Sequence, residues 1–169
     1  MRNEDNARRE ALRALVRLYQ TDVLRMCYML LKDRQFAEDA AQETFLKAYL
    51  SYDTLRDRSK EKAWLMTIAV NTCRAMLRSR WARHIIRASS DFDQEMASQP
   101  FPVDEIMLHI EVERLPYRQR EAVLLYYYQG MSVKEVARCL NTSQSSVSSR
   151  LKHARKRLKD VLYGGEAHE

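Results

Sequence analysis

The side chains with the most evident chemistry lie between Asn141 and Lys159. Five serines occupy the seven positions from Ser143 to Ser149, and six lysines and arginines follow from Arg150 to Lys159 without one acid. Short hydroxyls donate and accept hydrogen bonds, and a block of cations neutralises a polyanion. Covalent chemistry would need other residues. The four histidines (His84, His109, His153, His168) fit no metal or catalytic spacing, and no Gly-rich phosphate loop is present. The expected activity is binding, with no enzymatic reaction, no small-molecule substrate, no metal and no cofactor.

A surface of this kind needs an element to hold it. Val147, Leu151, Ala154 and Leu158 recur at +4, +3 and +4, one narrow apolar stripe of a helix. Ser145, Ser149, Lys152 and Lys156 then point away from the stripe, with Ser146, Ser148 and His153 flanking them. Upstream, Ser132 with Glu135 three residues later forms a capping box that opens a short helix over Val136, Ala137 and Leu140. Asn141 suits a left-handed turn position, and Thr142 or Ser143 can cap the helix that follows. Two helices joined by such a turn predict a helix-turn-helix. Its serine-rich end can approach base edges in a major groove while its basic half lies along phosphates. The expected DNA-facing set is Ser143, Ser145, Ser146, Ser148, Ser149, Arg150, Lys152, His153 and Arg155.

The rest of the chain must carry this unit. Three glycines and three prolines in 169 residues leave too few turns for a β-rich fold, and good helix formers dominate, so the fold class is all-α. Apolar spacing predicts helices over 11–31, over 36–50 and over 63–83, with a polar loop between the last two. A helix from Asp104 stops at Leu115–Pro116, and another runs from Pro116 to just before Gly130. Between 88 and 103 the chain is acidic and carries Pro100 and Pro102, the composition of a linker. The expected organisation is a helical domain over 1–87, an acidic linker over 88–103, a second small helical domain over 104–163 and a tail over 164–169.

Charge follows the same division. Arg74 to Arg87 holds five arginines and no acid; Ala88 to Glu113 holds seven acids and no lysine or arginine. The net charge of +6 permits a nucleic-acid partner. On the second helix Glu38, Asp39, Gln42 and Glu43 share the polar side, an acidic patch suited to a basic protein. On the third, Thr67, Asn71, Arg74 and Arg78 form a polar stripe apart from the core face, a set able to read bases and hold phosphates. Cys27, Cys73 and Cys139 each fall on an apolar stripe and are expected as buried, reduced thiols. No signal peptide or membrane span is evident, so a cytoplasmic protein is expected.

Two strings carry a resemblance. "AEDAAQETFLKAY" and "AWLMTIAVNTCR", within residues 36–83, resemble region 2 of the extracytoplasmic-function (ECF) sigma factors of bacteria, and residues 115–158 resemble their region 4. The resemblance implies that the chain binds core RNA polymerase, directs it to −10 and −35 promoter elements and helps open the duplex. It assigns Asp39, Gln42, Glu43 and Leu46 to the clamp helices of the largest polymerase subunit. It assigns Leu55, Trp64, Thr67, Asn71, Arg74 and Arg78 to −10 DNA, with the loop over 51–60 holding an unstacked base, and the serine-rich helix to −35 DNA. An anti-sigma factor, which could hold the protein at the membrane, is the further partner implied. Three features depart from the family pattern: Leu55 stands where relatives often have Phe, Ser148 where they commonly carry Lys or Arg, and the helix from Asp104 is short. The alternatives weighed against this reading are a stand-alone helix-turn-helix regulator and an adaptor protein.

Overall fold

The computed structural model describes residues 2–82 and 103–163. All of the expected linker except Val103, and the whole of the expected tail, fall outside them. Among the described residues there are seven α-helices and no strand. The all-α fold expected from composition is what is found.

Three long helices form the N-terminal group: α1 (Arg2–Leu31), α2 (Arg34–Leu50) and α3 (Glu61–Ala82). α1 starts well before the predicted position 11. Its first ten residues lack an apolar stripe, so periodicity gives no sign of them, yet good helix formers and the Asp5–Arg9 ion pair at 2.9 Å support that turn. Lys32 takes a positive φ of 55° to reverse the chain, and Asp33 caps α2 by accepting from the Phe36 amide at 3.0 Å. The small residues Ala37, Ala40 and Ala48 are buried and let α2 lie close against its neighbours. Thr44, also buried, satisfies its hydroxyl by donating to the Ala40 carbonyl at 2.7 Å. Leu15, Val23, Met26, Cys27 and Leu30 of α1 meet Leu65, Met66, Ala69, Val70 and Cys73 of α3 in one core.

The C-terminal group contains α4 (Val103–Arg114), α5 (Tyr117–Val123), α6 (Val133–Cys139) and α7 (Gln144–Tyr163). Pro116 stands just before the first turn of α5 as its N-cap. The helix predicted to run on to Gly130 widens instead into a π-turn over Leu124–Tyr128, where the Gln129 amide reaches back to the Leu124 carbonyl at 3.1 Å. The wider turn keeps Leu124 and Leu125 buried while Tyr127 and Tyr128 remain exposed. Gly130, at φ 67°, ends it. The capping box is present in both directions: the Glu135 amide donates to Ser132 Oγ at 3.2 Å, and the Ser132 amide donates to Glu135 Oε2 at 2.8 Å.

The two groups touch. α3 packs on α6, and α1 approaches α5. Arg120, only 6% exposed, donates from Nη1 to the Glu113 and Leu115 carbonyls at 2.8 and 3.1 Å and from Nη2 to the Leu30 carbonyl at 3.2 Å. Leu30 lies in the last turn of α1, whose carbonyls carry partial negative charge, so a buried guanidinium there satisfies a helix end and ties the groups together.

Candidate nucleic-acid and polymerase interfaces

α7 presents its surface as the spacing predicts. Val147, Leu151 and Ala154 are buried against the domain, while Ser145, Ser148, Ser149, Lys152, His153 and Arg155 are exposed. Asn141 adopts φ 49°, the left-handed turn expected of it. Of the two cap candidates Ser143 is the one used: its Oγ accepts from the Ser146 amide at 3.1 Å and lies 3.1 Å from Ser145 Oγ. Ser143 therefore sets the register of the first turn as well as lying on the surface. Arg155 donates to Tyr127 Oη at 3.2 Å, which fixes the guanidinium on an aromatic from the π-turn. Arg150 differs from its neighbours. It is half-buried, and its Nη1 is enclosed with no protein partner. Burial pulls its pKa below the ordinary arginine value, with Glu121 acting in the opposite sense.

The predicted polar stripe of α3 is divided. Asn71 and Arg78 are exposed, whereas Thr67 and Arg74 are partly covered where α3 faces α6. Thr67 Oγ1 donates to the Ala63 carbonyl at 2.8 Å. Arg74 donates from Nε and Nη2 to the two carboxylate oxygens of Glu121 at 2.6 and 2.7 Å, a bidentate pair across the two helical groups. That contact raises the Arg74 pKa, against the opposing effect of burial. Glu121 has no exposed surface.

The loop before α3 is more ordered than its polar composition suggests. It contains two 3-10 turns, Tyr52–Thr54 and Arg58–Lys60. Asp57 accepts from the Ser59 amide at 3.0 Å and from its hydroxyl at 2.7 Å, and these bonds hold the carboxyl below its usual range. Trp64 donates from Nε1 to Thr54 Oγ1 at 3.3 Å, and its ring meets Tyr52 edge-on with centroids 6.2 Å apart. Leu55 is half-buried beside them. Tyr52 thus supplies an aromatic to this loop where Leu55 does not; its position in a polar string hid it from the periodicity. Arg8 pairs with Asp53, joining the loop to α1.

On α2, Asp39, Gln42 and Leu46 are exposed and Glu43 is half-buried. Lys47 pairs with Glu43 at 3.4 Å, and Gln35 lies 3.5 Å from Asp39. Leu46 is 54% exposed and Leu50, one turn on, 66%. Leu50 continues the 39, 42, 43, 46 stripe at the next helical step, a spacing that could have identified it. Two exposed leucines beside acids make a surface suited to a protein carrying both basic and apolar groups.

Comparison with known proteins finds two matching families, one over each helical group. The sigma-70 region 2 family matches residues 15–83, and the sigma-70 region 4 family matches residues 107–158. The ECF RNA polymerase sigma factor SigM of Bacillus subtilis is 32% identical over 157 residues, covering 89% of this chain and 94% of SigM. SigX of the same organism is 30% identical over 150 residues, covering 83% and 77%. Among solved structures, the sigma factor RpoE in complex with the anti-sigma factor NepR from Bartonella quintana superposes with a TM-score of 0.74 at 26% identity, covering 90% of this chain and 97% of RpoE.

Proposed function

The chain belongs to the sigma-70 family as an ECF RNA polymerase sigma factor, and from that premise we propose how its surfaces divide the work of initiation. Residues 1–87 form the domain that grips core polymerase and meets the −10 element, 88–103 the linker, 104–163 the domain that reads the −35 element, and 164–169 the tail. Asp39, Gln42, Glu43 and Leu46 dock on the polymerase clamp helices, with Leu50 extending that patch. Asn71 and Arg78 contact −10 DNA, joined by Thr67 and Arg74 once α3 is uncovered. Leu55 and Trp64, with Tyr52, hold an unstacked base, since keeping a duplex open requires a site that captures the extruded base.

The exposed face of α7 reads the −35 element. Ser145, Ser146, Ser148 and Ser149 approach bases, with Ser143 holding the turn that presents them. Arg150, Lys152, His153 and Arg155 contact bases and phosphates. The protein catalyses nothing itself and acts in the cytoplasm. Among the described residues no helix is long and apolar enough to cross a membrane. An anti-sigma partner is the proposed means of any retention at a membrane. RpoE, whose fold this chain shares, is in complex with an anti-sigma factor, NepR.

The observation that carries this reading is the pairing of two independent polar surfaces, on α3 and α7, with an acid-and-leucine patch on α2. A stand-alone regulator has no use for the last. Native-gel binding to core polymerase tests it. The unaltered protein should form a holoenzyme, and the charge reversal Asp39→Lys with Glu43→Lys should abolish it while leaving −35 duplex binding intact. Undiminished holoenzyme formation by that variant would remove α2 from the assignment.

A further inference from the structure

The contact between the helical groups is incompatible with simultaneous promoter contact. Elements named −35 and −10 lie roughly two and a half turns of DNA apart, on the order of 80 Å at about 34 Å per turn. Here α3 and α6 are packed together. The groups must separate before both elements are bound, and the ionic contact between them must then break.

One buried carboxylate, that of Glu121, lies at this junction. Arg74 takes both oxygens of Glu121 and donates from Nη1 to the Leu140 carbonyl at 3.4 Å, at the end of α6. Arg150 on α7 has an enclosed Nη1 without a protein partner, and it feels Glu121 as an attraction and Arg74 and Arg118 as repulsions. A half-buried guanidinium with one enclosed, unfilled donor, on a helix packed against the one that carries an occupied carboxylate, is an unresolved competition. If Arg74 leaves, Glu121 loses the bidentate partner it has here, and Arg150, on the α7 helix that packs against α5, carries an unfilled donor.

Resting on the sigma-factor reading above, we infer that Glu121 is a shared acceptor. In the closed arrangement it holds Arg74 and keeps part of the −10 surface from DNA. When the groups part it takes Arg150 and fixes that guanidinium on the recognition helix. Glu121 is thus a positioning residue for −35 reading, although in the closed arrangement its side chain touches no solvent. Separation of the domains and readiness of α7 become one event, because the same carboxylate cannot serve both arginines bidentately.

Two readouts on the full chain test this. Dyes on Arg17→Cys in α1 and Asp160→Cys in α7, both exposed positions, report the separation of the groups by energy transfer, without polymerase or DNA. Binding to −35 duplexes selected from a randomised pool, lacking any −10 element, reports α7. Arg74→Gln should lower energy transfer and raise duplex affinity by about fivefold or more, the low end of ordinary site–site coupling. Glu121→Gln breaks the same pair and should also lower energy transfer, yet bind the duplex about tenfold more weakly than Arg74→Gln, because Arg150 has lost its acceptor. Glu121→Asp keeps the charge and should recover duplex affinity relative to Glu121→Gln, which separates positioning from packing. Unchanged energy transfer in Arg74→Gln would overturn the latch, and equal duplex affinity of Arg74→Gln and Glu121→Gln would overturn the positioning role. Equal loss in Glu121→Asp and Glu121→Gln would reduce Glu121 to a packing residue. Transcription by the unaltered protein with core polymerase, read separately, shows whether any such failure lies with this inference or with the sigma-factor reading.

Discussion

Truncating Leu46 to alanine separates a docking surface from a structural one. Leu46 is 54% exposed, so about half of its apolar area is still in contact with water in the folded chain. Full burial of a leucine side chain is worth about 1.5–3 kcal/mol. Covering the exposed half on polymerase would then contribute about 0.8–1.6 kcal/mol, equivalent to about 4- to 15-fold in affinity. Leu46→Ala should weaken core-polymerase binding by that factor in a fluorescence-anisotropy titration and shift the thermal midpoint little. Leu15→Ala is the contrasting control. Leu15 is 1% exposed between the helices of the N-terminal group, and its truncation should destabilise the fold by about 2–5 kcal/mol. An unchanged affinity in Leu46→Ala would refute the placement of the polymerase on α2. A loss of affinity matched by a comparable loss of stability would refute the reasoning from exposure.

Other outcomes follow from the same geometry. Ser143→Ala removes the α7 cap and should cost about 1 kcal/mol in chemical denaturation, whereas Ser148→Ala, exposed and uninvolved in any cap, should leave stability unchanged while altering the bases protected in a −35 footprint. Asn71→Ala should impair promoter opening, followed by permanganate reactivity of the melted strand, more than it impairs core binding; equal losses would count against a base contact. The three cysteines should resist Ellman's reagent at pH 8 until the protein is denatured. All are buried, burial pushes the Cys139 thiol up to about 11, and Cys73 is raised by its contact with Cys27 and by burial. A raised thiol pKa keeps the unreactive protonated form below that value, so Cys73 and Cys139 should gain reactivity only at strongly alkaline pH. Rapid labelling of the native protein would contradict the packing of α3 on α1 and α6.

Local signals were the readable ones. The capping box at Ser132 and Glu135, the left-handed Asn141, the stripe of α7 and the helix start at Pro116 each depend on residues a few positions apart, and each is found in the fold. The first turns of α1 escaped the reading because they are polar on every side and held by ion pairs. The π-turn escaped because three consecutive tyrosines fit a helical period as well as a widened one. The ion pair between Arg74 and Glu121 was the least accessible. Its partners are 47 residues apart on different helical groups, and nothing in the spacing of either helix points to the other. Arg74 could be placed on a polar stripe from the sequence, but that the stripe is partly covered by α6 required the packing.

The most direct measurement is run-off transcription with purified core polymerase, with and without this protein, on a fragmented genomic library followed by start-site mapping. Adding the protein should produce transcripts from discrete starts sharing two upstream elements, and Lys152→Ala should weaken use of the more distant one. Transcription that the protein leaves unselective, or starts that share no upstream sequence, would contradict it.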